Sequence, residues 1–394
     1  MAASWTLLVY MAADNHLSES IDGKLSRVDV ALGLMMTATS SNDVNVIVEV
    51  VSVGGKMQRY KIEQGVKLPL GPEPPPIVNT GLPQPLTDFI DFGTARYPST
   101  NVAFILWSDG DGVIDWGVEN DAIAIKPNPA VVGGTCATGF SNHFASYLTT
   151  TELASALAGS AYCKSGKQIA VVAFDACLMG MIEIAYQLRA SASFMLACEI
   201  ELLGALPYSA MISELVEKPG TDPRAFTLGI VKKFAAAAPA GTNSSLAAVD
   251  LSLVAAAAVA WGGLVNAMST NVVADARTKT PGIYDGGCFV DFTMFLTKLA
   301  QAGVPQSGVD TVLLSLANAV IDKTVTGPGL PGYGGVSLYY PNMAFLAKVT
   351  SLAFASSVAK NLRTYQELAF PSDTGWGALL GKLLQQPSNH IFDV

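Results

Sequence analysis

Dense apolar runs alternate with stretches of helical periodicity along the first half of the chain. The runs are Trp5–Met11, Val44–Val53, Val102–Trp107, Ile169–Phe174 and Phe194–Ala197. Consecutive rather than alternating apolar positions are the pattern of strands buried on both faces of a parallel sheet. Between them the spacing predicts helices at Ser18–Thr39, Leu86–Tyr97 and Thr150–Leu157, the last opened by a capping box from Thr149 to Glu152. The proline-dense stretch from Pro69 to Pro85 predicts a surface loop, because its prolines cannot donate ladder hydrogen bonds. From about Pro219 the pattern turns mainly helical, with helices expected at Ala225–Ala238, Leu251–Met268, Phe292–Ala302, Val309–Val325, Phe345–Glu367 and Trp376–Leu384. One strong strand, Gly335–Tyr340, interrupts this part and is expected to return to the sheet. The expectation is an α/β fold: a sheet-centred part, residues 1–218, and a mainly helical part, residues 219–394, packed against it.

Composition narrows the class. Half of the 394 residues are hydrophobic and 14% are charged, so a large core is available and wholesale disorder is excluded. A formal charge of -9 argues against a nucleic-acid partner. The five cysteines (Cys136, Cys163, Cys177, Cys198 and Cys288) form no CxxC pair, so neither a zinc knuckle nor a full disulfide framework is signalled. The alanine-rich stretch Leu253–Met268 comes nearest to a membrane span. It is too short and too interrupted by Gly262, Gly263 and Asn266, and it is expected to be a buried helix capped by Asp250 or Ser252. No leader peptide is visible, which leaves a secreted or cell-surface location open.

Chemistry is expected beyond the carboxyl ends of the parallel strands. Two of them end in unusual residues. The third run leads into Ser108-Asp109-Gly110-Asp111-Gly112, and the fourth into Asp175-Ala176-Cys177, followed at once by the expected helix MGMIEIAYQLR. A cysteine between a strand end and a helix start meets free backbone N–H groups and a favourable dipole, the setting of a nucleophilic thiolate. The acids Asp109, Asp111, Asp115, Glu119 and Asp121 fit a solvated acidic loop. Calcium is the alternative ligand there, although Val113 breaks the Asp-x-Asp-x-Asp spacing of an EF-hand loop.

The blocks WTLLVYMAADNHL, LTDFIDFGTARYP, ILWSDGDG, FDACLMGMIEIAYQL, LAAVDLS and YGGVSLYYP, with the late Trp376, occur in one order along nearly the whole chain. In these blocks the sequence resembles the clostripain family of cysteine peptidases. The resemblance implies a caspase-like α/β/α sandwich, shared with gingipains and legumains. It further implies hydrolysis of peptide bonds, typically after Arg or Lys, in peptide or protein substrates. Cys177 falls on the nucleophile. Asp175 falls on a carboxylate at the base of the pocket for the basic side chain.

Three departures qualify what the resemblance implies. Where the family reads Trp-x-His-Gly, this chain has Trp107-Ser108-Asp109-Gly110, so Asp109 stands in place of the dyad histidine. His16, in Asp14-Asn15-His16 just past the first strand, stands where relatives usually carry a carboxylate, and it is the candidate for a replacement imidazole. The acidic Gly-Asp-Gly-like turn after the fifth strand is replaced by Leu203-Gly204-Ala205-Leu206, leaving Glu199 and Glu201 as the nearest acids for a basic substrate side chain. The loop after Asp109 offers only Lys126 as a processing site, and Pro127 follows it. Two activities are compatible with this pattern: a cysteine endopeptidase weakened by the missing histidine, or a pseudopeptidase that binds peptides or a protein partner without cutting.

Overall fold

The computed structural model describes residues 2–385 apart from 21–22, 72–74, 111, 114–137, 142, 145, 203, 239–240, 284–286, 328–331 and 342–364. The expected strands are all present: β1 (Ala3–Ala12), β2 (Val44–Ser52), β5 (Ser99–Trp107), β8 (Ile169–Asp175) and β9 (Ala192–Ala197). They form a continuous parallel block in the order β9-β8-β5-β1-β2. Antiparallel strands extend both sides, β3 (Lys56–Glu63) and β4 (Val66–Pro69) beyond β2, and β10 (Ser244–Asp250) and β13 (Val320–Thr326) beyond β9. The β3–β4 hairpin turns through Gln64 and Gly65, both at positive φ (52° and 78°), the combination that matches the right-handed twist of paired strands.

Successive β1 residues enter different cores, as the pleat requires. Leu8, Tyr10 and Ala12 pack on one face of the sheet with α2 (Pro83–Arg96), α3 (Thr150–Gly159) and α5 (Ile182–Leu188). Trp5, Leu7, Val9 and Met11 pack on the other with α1 (Arg27–Met36), α6 (Tyr208–Glu217) and α7 (Pro223–Ala237). The result is three layers with a largely parallel sheet between helices.

Several sequence expectations are corrected. The expected helix Val309–Val325 is α11 (Gln306–Ala319) followed directly by β13, because VIDKTVT is rich in β-branched residues that prefer a pleated ladder. Gly335–Tyr340 does not return to the main sheet. Ser337–Tyr339 forms β14 of a separate three-stranded sheet with β11 (Gly282–Ile283) and β12 (Phe289–Asp291). The strands β10 and β13 carry the chain beyond residue 218 back into the main sheet instead. The helix expected from Ser18 begins only at Arg27, where Ser26 caps it by accepting the Asp29 N–H. The alanine-rich helix, α8 (Val254–Val265), starts without a side-chain cap, since Asp250 accepts from Ser252 rather than from the helix. No described helix is long and apolar enough to cross a membrane. Residues 345–364 of the expected Phe345–Glu367 helix lie outside the described residues.

Candidate active site

Sheet register assembles the site. Trp107 on β5 pairs with Met11 on β1 and with Asp175 on β8, so the three segments that follow these strands leave the sheet side by side. The Ser108 hydroxyl donates to the Ala12 carbonyl at 3.0 Å and its N–H to the Asp175 carbonyl at 3.3 Å. This fixes Asp109 between the β1 loop and the β8 turn.

Cys177 does not sit at a helix N-terminus, as the sequence led us to expect. Leu178 to Met181 intervene before α5, and the turn is held by the neighbouring chain: Leu178 N–H donates to Ile200 O at 3.0 Å and Gly180 N–H to Cys198 O at 2.7 Å. Leu178 has φ of 60°, a left-handed conformation uncommon for a branched side chain and typical of over-determined functional turns. The donor aimed at the sulfur is the Leu202 N–H, 3.2 Å from Cys177 Sγ, a contact that favours negative charge on sulfur. Gly110 packs directly behind the turn: a Cβ there would lie 2.3 Å from the Cys177 carbonyl oxygen. Gly110→Ala is therefore expected to destabilise the protein by about 1–3 kcal/mol and to slow Cys177 alkylation, as thermal melts and timed iodoacetamide labelling would report.

A cavity of about 240 Å³ opens beside the turn, lined by Cys177, Asp109, Asp175 and Arg27 together with the apolar Leu17, Val30 and Leu202. Asp175 is 5% exposed and accepts from the Tyr208 hydroxyl at 2.6 Å and from the Leu206 N–H at 3.4 Å. Burial pushes its carboxyl up to about 6 against the pull of these donors. Asp109 is half-buried, and partial removal from water raises its carboxyl, opposed by His16 and then by Arg27. His16 Nδ1 lies 3.5 Å from Asp109 Oδ2 at the cavity rim. The His16 loop is itself anchored. Asn15 donates to Ala12 O and accepts from Leu17 N–H, while Asp14 accepts from Gly54 N–H, Ser141 Oγ and His143 N–H.

Of the residues singled out from sequence, Cys177, Asp109 and Asp175 meet in the cavity, His16 joins Asp109, and Gly110 supports the turn. Glu199 and Glu201 do not line it. Glu201 is exposed, whereas Glu199 is 1% exposed and faces Asp291, with burial and that neighbouring acid raising its carboxyl well above the usual range. The sequence missed Arg27, Tyr208 and the Leu202 N–H. Arg27 was legible as the first residue after a Ser-x-x-Asp cap, while a backbone donor leaves no side-chain signature. Asp111, Asp115, Glu119, Asp121, Lys126, Pro127, Cys136 and His390 lie outside the described residues. Among the described residues no cluster of three or more His, Cys, Asp or Glu side chains could hold a metal ion.

A three-layer α/β/α sheet protein with a cysteine in the turn after a central parallel strand is the build of a class of cysteine proteases, and solved members share the whole fold. Iotapain, a secreted C11 cysteine protease from Bacteroides thetaiotaomicron, superposes with a TM-score of 0.69 at 15% identity over 95% of this chain and 100% of its own. A complex of a secreted C11 cysteine protease from the same organism with an irreversible peptide inhibitor gives 0.68 at 18% identity, over 95% and 99%. An inactive zymogen C11 protease from Parabacteroides distasonis gives 0.68 at 19% identity, over 95% and 99%. No curated protein matches the chain significantly by sequence. The sequence profile of the clostripain family, peptidase family C11, matches residues 9–295, and the chain belongs to that family of cysteine peptidases.

Proposed function

We propose that the protein is a cysteine endopeptidase in which Cys177 is the nucleophile and the His16–Asp109 pair handles the proton. The observation that carries this reading is the 3.5 Å approach of His16 Nδ1 to Asp109 Oδ2 at the rim of the cavity that Asp109 and Cys177 line. In the family's order an imidazole occupies the position of Asp109 and a carboxylate that of His16, so the two residue types are exchanged between adjacent loops. The Cys177 sulfur attacks the scissile carbonyl carbon and forms a thioester as the C–N bond breaks. The thiol proton passes by way of Asp109 to His16 and returns by the same route to the leaving amine, and water then hydrolyses the thioester, releasing the carboxylic acid and regenerating the thiol. Asp175 at the cavity floor supplies the negative charge for an Arg or Lys side chain preceding the scissile bond, as the resemblance to the family implies. Because His16 meets Asp109 and does not itself line the cavity with Cys177, turnover is expected to be weak.

His16→Gln tests the reading. It should lower kcat by about 10²-fold, leaving the fold intact by circular dichroism. Unchanged turnover would show that His16 takes no part. The competing function, peptide binding without cleavage, is favoured by the carboxylate in the cavity beside the sulfur. It would appear as binding of Arg- or Lys-containing peptides with no thioester and no product even at high enzyme concentration.

A further inference from the structure

The cavity beside Cys177 holds a cation as well as two carboxylates. Arg27 occupies the first turn of α1, is exposed, and lines the cavity with Asp109 and Asp175. Among the described residues no carboxylate forms an ion pair with its guanidinium. Asp29, the nearest acid in its own helix, is engaged by the Ser26 hydroxyl at 2.6 Å. The Asp175 carboxylate is tied to Tyr208 and Leu206, and Asp109 to His16. The guanidinium is thus a positive charge facing a space whose negative charges already have partners.

We infer that Arg27 is a specificity-determining residue: lining the same cavity as Asp109 and Asp175, it offsets their attraction for a cationic substrate side chain and admits neutral and acidic side chains. This rests on the assignment of Cys177 and its cavity as the peptidase site. Two carboxyls, Asp109 just past β5 and Asp175 at the end of β8, feel the same charge. Arg27 pulls the carboxyls of both Asp109 and Asp175 downward against the upward push of burial. A basic side chain entering toward Asp175 meets a like charge in the cavity lining. An uncharged or acidic one does not. Arg27 therefore flattens the preference that Asp175 alone would impose.

The test reads the electrostatic potential at Cys177 directly and does not need turnover. Rates of Cys177 modification by cationic 2-aminoethyl methanethiosulfonate and anionic 2-sulfonatoethyl methanethiosulfonate are followed by peptide mass spectrometry, with the half-buried Cys163 as internal reference. In Arg27→Gln the cation-to-anion rate ratio at Cys177 should rise about tenfold at low ionic strength and fall back in 0.5 M salt, as expected for a charge roughly a Debye length away. Arg27→Lys keeps the charge and should stay within about twofold of the parent. With peptide substrates, the kcat/KM ratio for Lys over Gln before the scissile bond should rise in Arg27→Gln by a comparable factor, carried by KM. Equal probe ratios in parent and Arg27→Gln would overturn the assignment whatever the turnover. Normal probe ratios without any cleavage would instead overturn the peptidase reading and leave the role of Arg27 standing. A Cys177 that reacts with neither probe while Cys163 reacts would overturn both.

Discussion

Asp109→His is expected to raise cleavage after Arg or Lys by about 10²-fold over the parent chain. Expulsion of an amine needs a proton donor beside the sulfur, and an ionised carboxylate has none to give. Asp109 lines the cavity with Cys177, whereas His16 meets Asp109 and is not among the described residues that line it. An imidazole at position 109 would act within the cavity that Cys177 lines and would remove a negative charge from that lining. The double variant His16→Asp, Asp109→His restores the family's order of residues and should match or exceed the single variant. His16→Gln in the Asp109→His background should cost little, in contrast to its effect on the parent. Steady-state kcat/KM values and iodoacetamide labelling rates across this set separate the outcomes. If Asp109→His folds normally and cuts no faster than a parent that already turns over at neutral pH, the placement of the proton-transfer group is wrong.

The second large effect is on stability. Glu183, in the first turn of α5, is fully buried, with Oε1 accepting from the Tyr339 N–H and the Tyr365 hydroxyl, both at 2.8 Å, and with no hydrogen-bond donor facing Oε2. Burial outweighs those donors and pushes its carboxyl from 4.5 up to about 7. The folded state therefore holds a proton that the unfolded chain releases. The stabilisation is complete below the unfolded value and is lost as pH rises through about 7, a difference of about 3 kcal/mol for a shift of this size. Glu183→Gln keeps the two accepted hydrogen bonds and cannot ionise. It should leave stability near the parent's at pH 4.5 and exceed it by about 3 kcal/mol at pH 8.5, as urea denaturation at the two pH values would measure. Parallel losses at both pH values would mean that Glu183 is ionised in the folded protein throughout.

The parallel block was legible because residues buried on both faces leave unbroken apolar runs, as in Val102–Trp107. The antiparallel additions were not. KMQRYKIE, one strand in from the sheet edge, mixes apolar with polar and charged positions, β10 is built largely of small residues, and β13 follows α11 with no glycine or proline between them. The same physics divides the site. Cys177, Asp109 and Asp175 stand at the ends of buried strands, so their positions follow from the runs before them. Arg27 and the Leu202 N–H reach the cavity through packing of α1 and of the chain after β9, which no local pattern encodes. Glu199 shows the limit of choosing acids by proximity along the chain, because its side chain turns inward to Asp291, from the other half of the molecule.

The turn after Cys177 is fastened from far downstream. Ser337 N–H donates to the Gly180 carbonyl at 2.8 Å, Met181 bridges Ser337 in parallel, and Tyr339 N–H reaches Glu183. These bonds close a loop of about 157 residues, a contact that forms late because its closure entropy must be met by structure already in place. During synthesis, β1, β5 and β8 emerge together with the cysteine well before β14 leaves the ribosome. The nascent chain therefore carries its thiol on a turn that still lacks one side of its frame, and that frame is complete only once β14 has been made.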